Sequence, residues 1–534
     1  MAASARSPGW LDRIERVGNA LPDPTTLFLI GALAVMALSQ VAVNLEWSVD
    51  KTVSQQVTDE ATGATTRELV QVPVRPVSLL TADGVYWALK SMVRNFVEFP
   101  PLGVVLVGML GIGVAERSGL IGAFLKTVML AVPNALLTPT MVFVGVLSSV
   151  GLDAGYVVLP PVAAALYRAV GRSPLVGLAA VFAGVSAGFS ANLMVTSLDP
   201  LLAGLSTQSA QILDPEVHVA ATANLWFMIG STVLLTLVGW AVTAFWVEPR
   251  FERKTPEEGG PARVSTDDRA AQRLSDDERR GLGIAMGTAA VGALLVGLAW
   301  GLPGAPLSGM DGPFPRWVTA IVPLLFLGFL LPGIAYGIST RSLRSDRDVA
   351  DMMGQTMAGM GPYIVMAFFA AQFIAYFRYS GLGEIFAIAG GQVLARADLS
   401  ASFLMVGFVG VVVVANLFIG SMSAKYAFMA PVFVPMFMQV GISPELTQVA
   451  YRVGDSVTNV ITPLNPYMVI ILVFMKRYAP SSGIGTLVAL MLPYALAFGV
   501  AWSAMLVLWI GSGMELGPQG PLFYAGPALL PVVP

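Results

Sequence analysis

The run RVGDSVTNVITPLNPYM, residues 452–468, decides how this chain is read. It sets Arg452, Asp455, Asn459, Pro463 and Pro466 inside a segment otherwise apolar enough to cross a bilayer. A charge at the bilayer centre costs on the order of 2.5 to 3.5 kcal/mol on insertion scales, and proline removes a backbone hydrogen bond. Such residues persist where they line a cavity, so the stretch reads as a broken helix holding a binding site.

The rest of the chain fits that setting. Its 534 residues are 55% hydrophobic and 12% charged, with many apolar runs near the ~20 residues a spanning helix needs, so it reads as an all-α polytopic membrane protein. One histidine and no cysteine exclude thiol chemistry, disulfides and cysteine or histidine-cluster metal sites. A net charge of -3 argues against a nucleic-acid partner. Arg6, Arg13 and Arg16 precede an apolar run that starts near Thr25, as in a signal peptide. No small-residue cleavage site follows Val43, so the run is expected to be a retained first helix.

Taken in order, residues 1–98 form an N-terminal helix and an external excursion, whose alternating piece RELVQVPV near the turn ATGA predicts strands. Residues 99–248 form a first unit, opened by a helix near 100–114. A short segment from Ser118 is too interrupted to span and is expected to lie along the membrane surface. A re-entrant hairpin at 137–171 follows, broken by LSSVGLDAGY, and then a helix at 174–206 broken by GFSANLMVTSLDP. Residues 249–281 are a charged cytoplasmic linker, and 282–357 hold two connecting helices. A second unit, 358–513, repeats the order of the first, with a hairpin at 402–441 and a broken helix at 444–475; residues 514–534 are an external tail.

The repeat is visible in the residues themselves. AGYVVLPPVAAALYRAVGRSP from Ala154 and AKYAFMAPVFVPMFMQVGISP from Ala424 share eight identities in 21 positions, where apolar composition gives roughly two by chance. In the broken helices, Gly188, Ser190, Thr196, Leu198 and Pro200 fall on Gly454, Ser456, Thr462, Leu464 and Pro466, with Asp199 on Asn465. Arg452 falls on Ser186 and Asp455 on Phe189, so the second half alone supplies that charge pair and is expected to recognise an anion.

Counting crossings gives nine transmembrane helices and two re-entrant hairpins. The N-terminus and linker then lie inside and the C-terminus outside, in agreement with the placement of Arg168, Arg172, Arg341, Arg344, Arg347, Lys476 and Arg477. The two units enter from opposite sides. Inverted repeats with helix breaks at matching positions are the pattern of a secondary transporter with its site near the bilayer midplane.

SANLMVTSLDP, GSMSAKYAFMAPVFVPMF and YRVGDSVTNVITPLNPY together resemble the AbgT family of aminobenzoyl-glutamate transporters, over nearly the whole chain. The resemblance implies the same nine-helix, two-hairpin order and a homodimer in the bacterial inner membrane, with an inner and an outer core in each protomer. It further implies coupling to sodium or protons, no cofactor and no enzymatic activity, and substrates such as para-aminobenzoyl-glutamate or sulfonamide-type antimetabolites. By motif, its functional positions fall on Asp199, Asn416, Ser423, Tyr426, Pro444, Arg452, Asp455 and Pro463. The family usually has tryptophan where this chain has Tyr426, which shortens the ring and adds a hydroxyl.

The residues carry parallel expectations of their own. Arg452 can grip a carboxylate with two hydrogen bonds, or form an ion pair with Asp455 three residues on. Asp455, Ser456, Thr458, Asn459 and Thr462, with Asn416 and Ser423 from the hairpin, offer oxygens to a small hard cation such as sodium. By pseudo-symmetry Ser149, Asp153, Ser190, Asn192, Thr196 and Asp199 form a second such set, while simple capping of broken helix ends explains the same residues. Lys425 at the hairpin tip reads as reaching for water. Two other functions compete: a sodium/dicarboxylate symporter, and an intramembrane aspartyl protease in which Asp199 and Asp455 share a proton.

Overall fold

The computed structural model describes residues 24–58, 65–130, 133–151, 154–261, 274–312, 314–462, 465 and 467–526, and these are helical apart from two antiparallel ribbons and connecting loops. Helix α1, Pro24–Asn44, is apolar along its 21 residues, about 31 Å at 1.5 Å per residue. Strands β1, Val49–Thr58, and β2, Thr65–Val74, then pair antiparallel with Val49 opposite Val74, as the alternation in that stretch predicts. Lys51 pins the ribbon to Glu384 at 2.6 Å.

After the first helix the sequence reading places only an external excursion with strands up to residue 98, and the structure adds a helix to it. Helix α2, Ala82–Val97, starts where the Thr81 side chain accepts the Gly84 N–H and buries Gly84, Ala88 and Ser91 on one face. It leads into α3, Pro100–Arg117, so residues 82–117 make one 36-residue candidate span. Asp83, Lys90 and Arg94 on its other face had masked the apolar stripe.

After α4, Leu120–Leu130, come α5, Leu137–Leu147, and α6, Ala154–Ala169. Thr138 and Tyr167 meet at 2.6 Å between hydroxyls. They stand equally far in sequence from the connection between the two helices, so the two arms run antiparallel. Helix α7, Pro174–Phe182, widens to π geometry at Ala183–Ala187, loses helical form at 188–197, and resumes as α8, Leu198–Ala210. Helix α9 is Leu225–Val242, and α10, Asp276–Gly301, opens on a capping box of Ser275 and Glu278. Helix α11, Ile321–Ser339, is followed by a second helix absent from the sequence reading: α12, Asp346–Gly359, capped by Ser345 and bent 47° from α13, Gly361–Tyr379.

Helix α14, Leu382–Arg396, precedes the second hairpin, α15, Ala401–Asn416, and α16, Met422–Met438. The rings of Phe408 and Phe433 meet across it with centroids 4.8 Å apart. Helix α17, Pro444–Val457, loses helical form at 458–462, and helix resumes as α18, Tyr467–Tyr478, before α19, Ile484–Ser512, closes the bundle. Among the described residues six helices are long and apolar enough to cross a membrane, or up to seven if the bent α12–α13 pair is one span.

The halves interlock by one rule. The first arm of each hairpin packs on the first part of its own broken helix, α5 on α7 and α15 on α17. Glycine permits that approach: a Cβ on Gly184 would lie 2.3 Å from the Val142 carbonyl oxygen, and one on Gly454 2.7 Å from that of Val409. The second arms pack on their own broken helices as well and also reach the other half, α16 onto α8 and α6 onto α18. At the centre stands α17, whose 14 residues are all buried although they include Glu445, Gln448, Arg452 and Asp455. A polar helix without a solvent face must find its partners on its neighbours.

Candidate functional site

Two buried ion pairs organise the centre. Arg452, with no exposed surface, donates from Nη1 to Asp199 Oδ1 at 2.6 Å and from Nη2 to the Ser190 carbonyl at 2.9 Å. Asp199 Oδ2 accepts the Thr196 N–H at 2.6 Å and its hydroxyl at 2.9 Å. One turn along α17, Asp455 Oδ1 meets Lys425 Nζ at 2.6 Å and accepts the Tyr451 hydroxyl at 3.3 Å. Two cations and two carboxylates balance in a region closed to water, the condition under which buried charge is tolerated.

These contacts correct two expectations. Arg452 does not pair with Asp455; each takes a partner on another element. Residues three apart on a helix are neighbours, but here α8 and α16 bring better placed charges from the side. Lys425 does not reach for water: it is wholly buried, with Asn416 Oδ1 as a further acceptor. The partner of Arg452, Asp199, comes from the first half.

The repeat is realised as contacts. Asn465 and Ser186, the counterparts of Asp199 and Arg452, touch each other with the Asn465 Nδ2 3.1 Å from Ser186 Oγ. The same crossing is therefore made twice, once as a neutral hydrogen bond and once as an ion pair. The Lys425–Asp455 pair has no such echo, since Gly155 and Phe189 stand at the matching positions.

Asn416, fully buried, ties the second hairpin to the second break, its Nδ2 sharing two N–H donors among the Asp455 carbonyl at 2.7 Å, Asn459 Oδ1 at 2.8 Å and Thr458 Oγ1 at 2.9 Å. Ser149 and Asn192 make the corresponding link in the first half, 3.0 Å from Nδ2 to Oγ. Tyr426 is buried with its hydroxyl 2.6 Å from Ser206, which in turn donates to Gln448, and its ring lies 4.4 Å from that of Tyr451. Ser456 and Thr462 are buried at the break, and Ser423 is half-buried beside Ser421. Pro444 stands apart: it opens α17 behind the Ser443 cap, about 12 Å along the helix from Arg452. Asp153 and Pro463 lie outside the described residues.

Among the described residues, four buried polar atoms in this centre have no hydrogen-bond partner: Ser190 Oγ, Arg452 Nε, Asp455 Oδ2 and Ser456 Oγ. They come from both breaks, which makes the centre suited to receiving a polar ligand. Asp199 and Asp455 face different cations, so the shared proton that the protease alternative needs is not set up between them. The sequence reading turned Lys425 outward, named Asn465 only as the counterpart of Asp199, and left out Tyr451, Gln448 and Ser206. The repeat alignment held the clue to the first of these, since Lys425 replaces Gly155 where Asp455 replaces Phe189.

Interlocked hairpins and broken helices around a buried charged centre define a multi-pass membrane transporter. The family model of the AbgT putative transporter family matches residues 9–524. The chain is 35% identical over 527 residues to the p-aminobenzoyl-glutamate transport protein of Escherichia coli (strain K12), covering 96% of each. It also resembles two solved structures: the Alcanivorax borkumensis YdaH transporter (41% identity, TM-score 0.83, 93% of this chain and 100% of that one), and Neisseria gonorrhoeae MtrF, described among antimetabolite efflux pumps (39%, TM-score 0.85, 96% and 100%). The chain belongs to the AbgT family, and it is a transporter rather than an enzyme.

Proposed function

We propose that the protein is a cation-coupled secondary transporter of para-aminobenzoyl-glutamate-like or sulfonamide-type aromatic compounds, with Arg452 as the group that grips the substrate's anionic end. One observation carries this reading: a fully buried arginine lies between two helix breaks, and its carboxylate partner, Asp199, comes from the other half of the chain. A substrate carboxylate replaces Asp199 on Arg452 by the same charge-assisted bonds. That exchange unties α8 from α17, giving substrate a means of biasing two arrangements of the halves. The names of the E. coli and Neisseria relatives point to the same substrate class.

The remaining parts of the proposal follow from this. The chain spans a bacterial inner membrane nine times, with the 137–171 and 402–441 hairpins re-entrant, the N-terminus inside and the C-terminus outside. Basic residues on the inner loops support the orientation. Asp199, Ser423, Tyr426, Pro444, Arg452 and Pro463 serve the substrate. Asn416, Asp455, Ser456, Asn459, Thr462, Ser149, Asp153, Ser190, Asn192 and Thr196 serve the coupling ion, sodium or proton, and the unit is a homodimer in lipid.

Uptake of labelled para-aminobenzoyl-glutamate into proteoliposomes, with sodium and proton gradients imposed separately, tests the reading. Saturable, gradient-dependent flux that falls at least about tenfold in Arg452→Ala is expected, since a charge-assisted pair is worth about 1.5–3 kcal/mol. Complete competition by equimolar succinate replaces it with a dicarboxylate symporter.

A further inference from the structure

We propose that Ser173 and Tyr524 latch the inner and outer gates of the transporter, through two matching straps of chain that clasp the pair of broken helices at opposite ends. This rests on the proposed orientation, with the N-terminus inside, and on two arrangements of the halves. Each half ends in such a strap: residues 253–260 follow the span Leu225–Glu252, and residues 513–524 follow α19. Both straps turn back to the start of their own broken helix and fasten there in the same way. Ser173 Oγ, in front of α7, donates to the Gly259 carbonyl at 2.5 Å, and Ser443 Oγ, in front of α17, to the Pro521 carbonyl at 2.7 Å. These serines are counterparts in the aligned repeats. The residue before each is held as well, Arg172 by Glu248 at 2.5 Å and Ile442 by an antiparallel bridge to Phe523. A left-handed glycine shapes both turns, Gly171 at φ 78° and Gly441 at φ 77°. Helix capping does not explain Ser173, whose hydroxyl bonds none of the N–H groups that open α7.

Each strap then reaches the other half. On the outer side the Tyr524 hydroxyl donates to Asp214 Oδ2, just past the end of α8, at 2.6 Å. The Phe227 N–H and the Thr222 hydroxyl donate to the Leu516 and Pro518 carbonyls at 2.9 and 3.1 Å. On the inner side residues 256–258 lie on α18, and a Cβ on Gly259 would stand 3.5 Å from that of Ala479. The outer strap thus joins the end of α8 to the start of α17, and the inner strap joins the start of α7 to the end of α18. Between the two clasps lies the Arg452–Asp199 pair. Freeing that pair loosens the middle, and the halves part at a face only where its strap lifts, with the other strap as the pivot.

The chain has no cysteine, so Ser456→Cys, buried at the second break, serves as a single reporter. A membrane-impermeant thiol reagent labels it from outside in intact cells and from inside in inverted vesicles. In that background Tyr524→Phe is expected to raise labelling from outside and lower it from inside, and Ser173→Ala to do the reverse. Each shift should be about fivefold, as for a two-state equilibrium in which one state loses a hydrogen bond. Asp214→Ala, which empties the Tyr524 contact from the other side, is expected to match Tyr524→Phe. A rise from both sides together, as general loosening gives, overturns the proposal, and so does unchanged labelling. Opposite shifts with the two sides exchanged support the latches and refute the orientation. No substrate is added, so failure to transport para-aminobenzoyl-glutamate would count against the proposed substrate alone.

Discussion

Removing the charge of Asp199 is the sharpest perturbation of this molecule, because it leaves the Arg452 guanidinium buried with nothing opposite. Breaking one side of a buried pair costs about 3–5 kcal/mol. The contact is 2.6 Å between Nη1 and Oδ1, which places the charge centres about 4 Å apart; at an effective dielectric of about 20 the attraction is about 4 kcal/mol. Asp199→Asn and Arg452→Gln should each destabilise by about 3–5 kcal/mol, and the double variant by about 3–4 kcal/mol less than their sum. Unfolding free energies in mixed detergent micelles titrated with dodecyl sulfate give the cycle. In Asp199→Asn an anionic ligand no longer competes with an internal carboxylate, so para-aminobenzoyl-glutamate should stabilise that variant more than the parent. A coupling below about 0.5 kcal/mol, the scatter expected of independent sites, refutes the structural argument. Weaker ligand stabilisation in Asp199→Asn refutes the exchange at Arg452.

Other expectations are simpler to check. Gly184→Ala drives a methyl to within 2.3 Å of the Val142 carbonyl oxygen and should cost at least about 1–3 kcal/mol, whereas Gly297→Ala on α10, with open space around it, should be neutral or stabilising by up to about 1 kcal/mol; thermal melting separates the two. Tyr426→Phe deletes the hydroxyl held at 2.6 Å by Ser206, and a loss of about 1–2 kcal/mol in unfolding free energy is expected. At the exposed start of α12, the backbone N–H groups of Arg344 and Ser345 hold the Asp348 carboxyl below the usual carboxylate range. A depressed folded-state pKa gives stability that is present above the unfolded value and disappears as pH falls through the folded one. Hydrogen exchange across the first turn of α12 should be faster in Asp348→Asn at neutral pH, and the difference should vanish in acid.

Much of the architecture is written in local sequence. Prolines, glycines and polar residues inside apolar runs mark where helices stop, because a missing N–H or an unsolvated side chain acts wherever the chain is placed. The breaks after Ala187 and Val457 sit where those residues predict. The ribbon of β1 and β2 is legible for the same reason, its alternation matching the strand period. Helices α2 and α12 were not legible, since Asp83, Lys90 and Arg94 in one and Asp346, Arg347, Asp348 and Asp351 in the other dilute an apolar face that only packing defines.

The partners of the charges belong to tertiary structure alone. In the sequence, Asp455, three residues along one helix, is the one partner within the chain that spacing offers Arg452 beside a substrate carboxylate. In the folded chain Arg452 reaches back 253 residues to Asp199, and Asp455 takes Lys425 across the hairpin. Local spacing sets which groups are neighbours on a helix, but burial compels each charge to find an opposite one. Which one it finds depends on how α8 and α16 cross α17. The sequence thus determined that residues 452–468 form a broken, charged segment in a repeated fold, and the packing decided that Arg452 ties the second half to the first while Asp455 ties it to its own hairpin.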